Sequence, residues 1–133
     1  MIRLATDEAL HAISAKSGRD IPWALLDDTT YVIEMDGEVV CAGGAPELWP
    51  GLGQSWAITL SDKITQPIRF TREAKKQLLK VMDDKGYRQV RGLSYRYDEV
   101  RWNKTLGFEI EGVWKQAGPN FEDVFVLVYH RRH

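Results

Sequence analysis

Ser55-Trp56-Ala57-Ile58-Thr59-Leu60 opens the stretch that decides the fold, and Gly107-Phe108 closes it. The opening run has the aromatic and β-branched content of a strand. A loop from Ser61 to Phe70 follows, then a helix from about Thr71 to Lys85 that stops at Gly86. Phe70, Ala74, Leu78, Val81 and Met82 recur at helical spacing and form the face that meets a sheet, while Arg72, Lys75, Lys76, Lys80 and Lys85 lie elsewhere. Thr71 is the expected N-cap, with Glu73 in the favourable first turn. Tyr87-Arg88-Gln89-Val90-Arg91-Gly92-Leu93 reads as a second strand, and Asp98 to Leu106 as a short helix capped by Asp98 and stopped by Gly107. A strand, a crossover helix and a strand form a right-handed parallel pair. The start of the crossover helix then lies at the carboxyl end of the first strand, where α/β folds hold their ligands.

Working outward, Ile2-Arg3-Leu4 reads as a first strand. A helix follows, capped by Thr6 or Asp7, carrying Ala9, Leu10 and Ile13 on one face and ending at Gly18. Pro22 to Leu26 is a second helical turn. Thr30 to Met35 and Glu38 to Ala45 are the arms of a hairpin around Asp36-Gly37, because glycine accepts the positive φ that such turns need. Glu47 to Gln54, with Pro50, Gly51 and Gly53, reads as a loop. Phe108 to Lys115 and Glu122 to His130 are the closing strands. The last has apolar residues on both faces, as a strand buried between layers does. The fold class is α/β, a mixed sheet flanked by helices.

A chain of 133 residues is expected to form one domain. Its formal charge is -1 with 44% hydrophobic residues, so nothing demands nucleic acid or an anionic membrane as partner. The single cysteine, Cys41, rules out an internal disulfide and fits a reducing, cytoplasmic setting. Met1 to Glu8 lacks the apolar region of a signal peptide, and no run approaches the roughly 20 residues that span a bilayer. His11, His130 and His133 have no metal-ligand spacing with Cys41 or one another, so no metal site is expected. Cys41 reads as a small core residue. Of the five tryptophans, Trp49 stands in a loop beside Pro50 and Gly51 and is the one suited to a ligand or partner. The start of the crossover helix, with Arg69 and Arg72, can hold an anion, although a solvated basic face needs no ligand. Arg72, Lys76 and Lys80 make a basic stripe, a weak argument for nucleic acid in a near-neutral chain.

Val100-Arg101-Trp102-Asn103-Lys104-Thr105-Leu106-Gly107-Phe108-Glu109, with the hairpin Asp36-Gly37 and its small-residue return Cys41-Ala42-Gly43-Gly44, resembles the GNAT-type N-acyltransferase superfamily. Trp56 to Asp62, Ala74-Lys75-Lys76 and Arg101 to Gly107 are also similar to the GNAT-like proteins of tailed phages, a branch that includes a small internal virion protein of short-tailed phages. The resemblance implies a GNAT-like fold and acetyl-CoA as acyl donor. Thr59, Leu60, Arg69, Phe70, Thr71, Arg72 and Asn103 would contact the donor. Ser94 to Asp98 would sit at the opening between diverging strands, where Tyr95 or Tyr97 would serve as acid and Asp62 or Asp98 as base. The chain departs from the family pattern in three ways, one being that the acidic base usual on the strand before the loop has no match between Ser55 and Leu60, where Asp62 is the nearest carboxylate. Ser61 to Thr71 contains no glycine, whereas the family's pyrophosphate loop is glycine-rich. Asn103 stands where the family has a tyrosine acid, and an amide supplies no proton in that way. Two functions follow. One is N-acetyl transfer to a primary amine, aided by positioning and by backbone N–H groups on the carbonyl. The other is a non-catalytic phage protein that acts in virion assembly through self-association or virion partners.

Overall fold

The computed structural model describes residues 2–131; Met1 and His133, which entered the reading above, lie outside them. One sheet is antiparallel throughout. It runs in the order β1 (Ile2–Leu4), β2 (Tyr31–Met35), β3 (Glu38–Gly44), β6 (Trp56–Thr59). The other runs β4 (Glu47–Trp49), β5 (Leu52–Gln54), β7 (Gln89–Ser94), β9 (Val124–His130), β8 (Glu109–Trp114), with β5 and β7 parallel. Three helices, α1 (Asp7–Ser17), α2 (Pro67–Lys85) and α3 (Tyr97–Leu106), flank them. This is the mixed α/β architecture that the element order implies.

Local chemistry explains most of these elements. Thr6 Oγ1 accepts from Ala9 N–H at the start of α1, and Gly18 closes it in the left-handed region. Asp36 (φ 53°) and Gly37 (φ 77°) make the two-residue turn between β2 and β3. Strand alternation divides the core in two. Ile33 and Cys41 face α2 and α3 and pack with Phe70, Ala74, Met82 and Val90. Val32 and Ala42, their chain neighbours, face α1 and pack with Leu10, Ile13 and Ile58. Burial pushes the Cys41 thiol up to about 12, so it is a core residue and no nucleophile.

Four expectations need correction. The parallel partner of β7 is Leu52–Gln54, not the run from Ser55. Ser55 N–H donates to Arg91 O at 2.7 Å, and there the two runs part: β6 follows β3 into the first sheet while β7 continues beside β9. Glu47 to Gln54 is therefore a small hairpin, β4–β5, and not a loop. Helix α2 begins at Pro67, four residues before Thr71, because proline at the first helical position has no N–H to leave unpaired. Thr71 is inside the helix, where its Oγ1 lies 3.4 Å from Trp102 Nε1, and the preceding connection shrinks to Ser61–Gln66 with a 3₁₀ turn at Ser61–Lys63. Finally, α3 is capped at Arg96, not Asp98; Ser94 Oγ accepts from Arg96 N–H, and Asp98 is exposed in the first turn.

Candidate functional site

Where β6 and β7 part, each strand is left with an edge that faces no strand. Among the described residues β6 is the last strand of its sheet, bonded only to β3, and β7 beyond Arg91 pairs only with β9. A cavity of about 290 Å³ lies at this divergence, between α2 and α3. From α3 it takes Glu99, Trp102, Asn103 and Leu106, one helix face at i, i+3, i+4 and i+7. From α2 it takes Ala74, Gln77, Leu78 and Val81.

Of two adjacent glycines, Gly44 belongs to the lining and Gly43 precedes it in β3. A Cβ on Gly43 would stand 2.9 Å from both Tyr31 Oη and Trp56 O, and a Cβ on Gly44 would stand 2.9 Å from Trp56 Nε1. Because successive residues of a strand face opposite ways, Gly43 clears one face for the phenol and Gly44 the other for the indole. Both aromatics line the cavity. Burial raises the Tyr31 phenol far above its ordinary range, so it stays protonated. Trp56 Nε1 is buried with no hydrogen-bond partner among the described residues.

The charged groups of the lining are Arg19 and Glu99, paired through Arg19 Nη1 and Glu99 Oε1. Arg19 reaches in from the segment after α1, where Ser14 Oγ donates to its carbonyl at 2.8 Å. Glu99 is fixed from α3: its Oε2 accepts from Ser94 Oγ at 3.1 Å, and its carbonyl accepts from Asn103 Nδ2 at 2.8 Å.

The residues expected at the site divide sharply. Thr59 and Asn103 line the cavity. Leu60 is buried in the cluster under α1. Phe70 is 1% exposed, its ring 5.2 Å from that of Trp102 and its N–H bonded to Gln66 O. Arg69, Arg72 and Asp62 are exposed, and Asp62 lies in the 3₁₀ turn. Tyr95 and Tyr97 are 41% and 72% exposed and do not line the cavity; Tyr97 packs edge-on against Phe125. Sequence reading missed Arg19, Glu99 and Tyr31. A charged residue on the inward face of α3 was the signal for Glu99. Consecutive glycines across a hairpin from an aromatic were the signal for Tyr31. Trp49 is exposed on the edge strand β4 and not in a loop. Among the described residues no cluster of His, Cys, Asp and Glu is arranged to hold a metal ion, and no helix is long and apolar enough to cross a membrane.

No protein-family model matches the sequence, and none of the curated proteins matches it. Solved structures do match. Ard1 from Thermoplasma volcanium superposes with a TM-score of 0.79 at 13% identity, over 100% of this chain and 98% of that one. Aminoglycoside 6'-acetyltransferase type Ii superposes with a TM-score of 0.76 at 13% identity, over 100% and 99%. A GNAT-family acetyltransferase from Bacillus anthracis gives 0.71 at 12% identity, over 97% and 93%. The fold is thus that of the GNAT acetyltransferases, with the diverging strands described above.

Proposed function

We propose that the protein is an acetyl-CoA-dependent N-acetyltransferase that acts on a primary amine. The observation that carries this reading is the parting of β6 and β7 beyond the Ser55–Arg91 bond, which leaves two unpaired strand edges at a cavity. Such edges offer N–H and C=O groups to a thin ligand that carries amides of its own, as the pantetheine arm of CoA does. Bound acetyl-CoA supplies the acyl group as a thioester. The chain's residues would hold and orient it: the β6 edge near Thr59 and the inward face of α3 at Asn103 along the arm, and Arg69 and Arg72 with the first N–H groups of α2 at the phosphates. Residues 61–66 have no glycine and include a 3₁₀ turn, so the phosphate end rests on the helix start and these side chains and not on a backbone nest. The Asn103 amide cannot replace a tyrosine acid, and its Nδ2 is already engaged by Glu99 O. Tyr95, Tyr97 and Asp62 stand outside the lining. Positioning of amine and thioester then carries most of the rate.

Calorimetric titration with acetyl-CoA and with CoA tests this. Micromolar affinity is expected, weakened by salt and at least tenfold by Arg69→Ala with Arg72→Ala. No heat and no change in melting temperature at millimolar ligand would rule the reading out. A second reading, a protein of this fold without catalysis that serves in virion assembly or partner binding, draws on Asn103 and the glycine-free connection. It expects no CoA binding, and self-association or capture of a virion protein.

A further inference from the structure

The cavity places one cation and one anion in an otherwise uncharged lining, and they are bonded to each other. They come from different parts of the chain, 80 residues apart, and meet from separate walls. Neither is sealed in: the Arg19 side chain is 27% exposed and that of Glu99 17%. Their attachments differ. Glu99 is anchored by Ser94 Oγ as well as by Arg19, on a helix turn tied by Asn103. The Arg19 guanidinium makes a single hydrogen bond, to Glu99, among the described residues; its other N–H groups are unmatched. A guanidinium is a planar fork of five donors suited to gripping a carboxylate with two at once.

Resting on the acetyltransferase reading for its role, we propose that the cavity's acceptor is a small zwitterion. It would be an α-amino acid, or a molecule with an ammonium and a carboxylate equally close, the ammonium on Glu99 and the carboxylate on Arg19. Charge matching selects this class. A zwitterion that separates the pair gives each side chain a new partner and leaves the site neutral. A polyamine brings several positive charges to one carboxylate and strands the guanidinium. A simple amine satisfies Glu99 and leaves Arg19 without an anion. Charges left unpaired in a partly dry cavity are disfavoured. Size permits it: about 290 Å³ is at the small end for ligand sites and accommodates an amino acid. Tyr31 adds an aromatic wall beside the charged pair.

The test has two arms. In the first, without any CoA compound, tryptophan fluorescence (Trp56 and Trp102 line the cavity) follows titration with L-methionine, L-phenylalanine and L-glutamine, their methyl esters, and spermidine. The free amino acids are expected to bind at least tenfold more tightly than their esters, and spermidine more weakly still. Arg19→Gln is expected to weaken the acids at least tenfold and the esters less than twofold. Arg19→Lys recovers only part of the loss, and Glu99→Gln weakens acids and esters alike. Melting curves of each variant establish that it is folded. In the second arm, thiol release from acetyl-CoA is followed with the same acceptors. Acid-selective binding without thiol release would sink the acetyltransferase reading and leave the zwitterion site standing. Thiol release with esters or spermidine as efficient as with the acids would overturn the zwitterion site and leave the acetyltransferase. Equal effects of Arg19→Gln on acids and esters, or no response to any acceptor, would also overturn it.

Discussion

Arg69 and Phe70 are neighbours in sequence and belong to two different regions of the molecule. Phe70 turns into the core and packs against Trp102. Arg69 stands on the surface, exposed at the first turn of α2. The core is held by contacts from several elements at once, so each residue there is constrained by its neighbours' shapes. The exposed helix start answers mainly to solvent. The difference predicts that substitutions in the core change stability and substitutions at the exposed helix start do not.

The largest effect falls on that adjacent pair. Phe70→Ala is expected to cost about 3–5 kcal/mol in denaturant unfolding, since it removes a fully buried ring, whereas Arg69→Ala stays within about 0.5 kcal/mol. Equal losses would erase the distinction. Next comes Gly43→Ala. A methyl there meets a strand carbonyl as well as the Tyr31 hydroxyl at 2.9 Å, and the carbonyl cannot turn aside. A loss of about 1–3 kcal/mol is expected, with a smaller one for Gly92→Ala, whose nearest obstacle is the rotatable Ser55 hydroxyl.

A pH titration sharpens the contrast further. The Cys41 thiol has a folded-state pKa of about 12 against an ordinary 9.0. The unfolded chain therefore loses this proton first, and stability is present below pH 9 and falls as pH rises toward 12. By pH 10 the loss is about 1 kcal/mol, and the raised Tyr31 phenol adds to it at higher pH. Cys41→Ala should flatten the alkaline limb of a plot of unfolding free energy against pH. The smallest effects concern caps. Thr6→Ala is expected to cost about 1 kcal/mol because it removes the bond to Ala9 N–H. Asp98→Ala at the exposed start of α3 should change little, and a loss equal to that of Thr6→Ala would restore Asp98 as the cap.

What the sequence made legible follows from how local each determinant is. The inward faces of α1 and α2, the Asp36-Gly37 turn and the glycine stops of all three helices depend on residues a few positions apart, and periodicity reports them. The partner of β7 depends on where a continuous run, Leu52 to Thr59, changes sheets, and that is set by competition between β3 and β7 for the same strand. No pattern within Ser55 to Leu60 records the outcome. The start of α2 is less legible because Thr71 has the chemistry of a cap, while the helix opens four residues earlier at Pro67. At the site, Thr59 and Asn103 came from family resemblance. Glu99 was open to anyone who followed the phase of α3 back one turn from Asn103. Arg19 was not, because only the folded chain brings it across.

The free edge of β6 has a consequence for solubility. A strand with unmatched backbone groups on the outside of a protein invites a second chain to pair with it, the first step toward aggregates. Here that edge is turned inward, beside β7 and under α3. A whole strand is too wide to enter a cavity of this size, while an unbranched chain of amides is not. The fold thus keeps a sticky surface in the middle of the molecule, open to a narrow ligand and closed to other copies of itself.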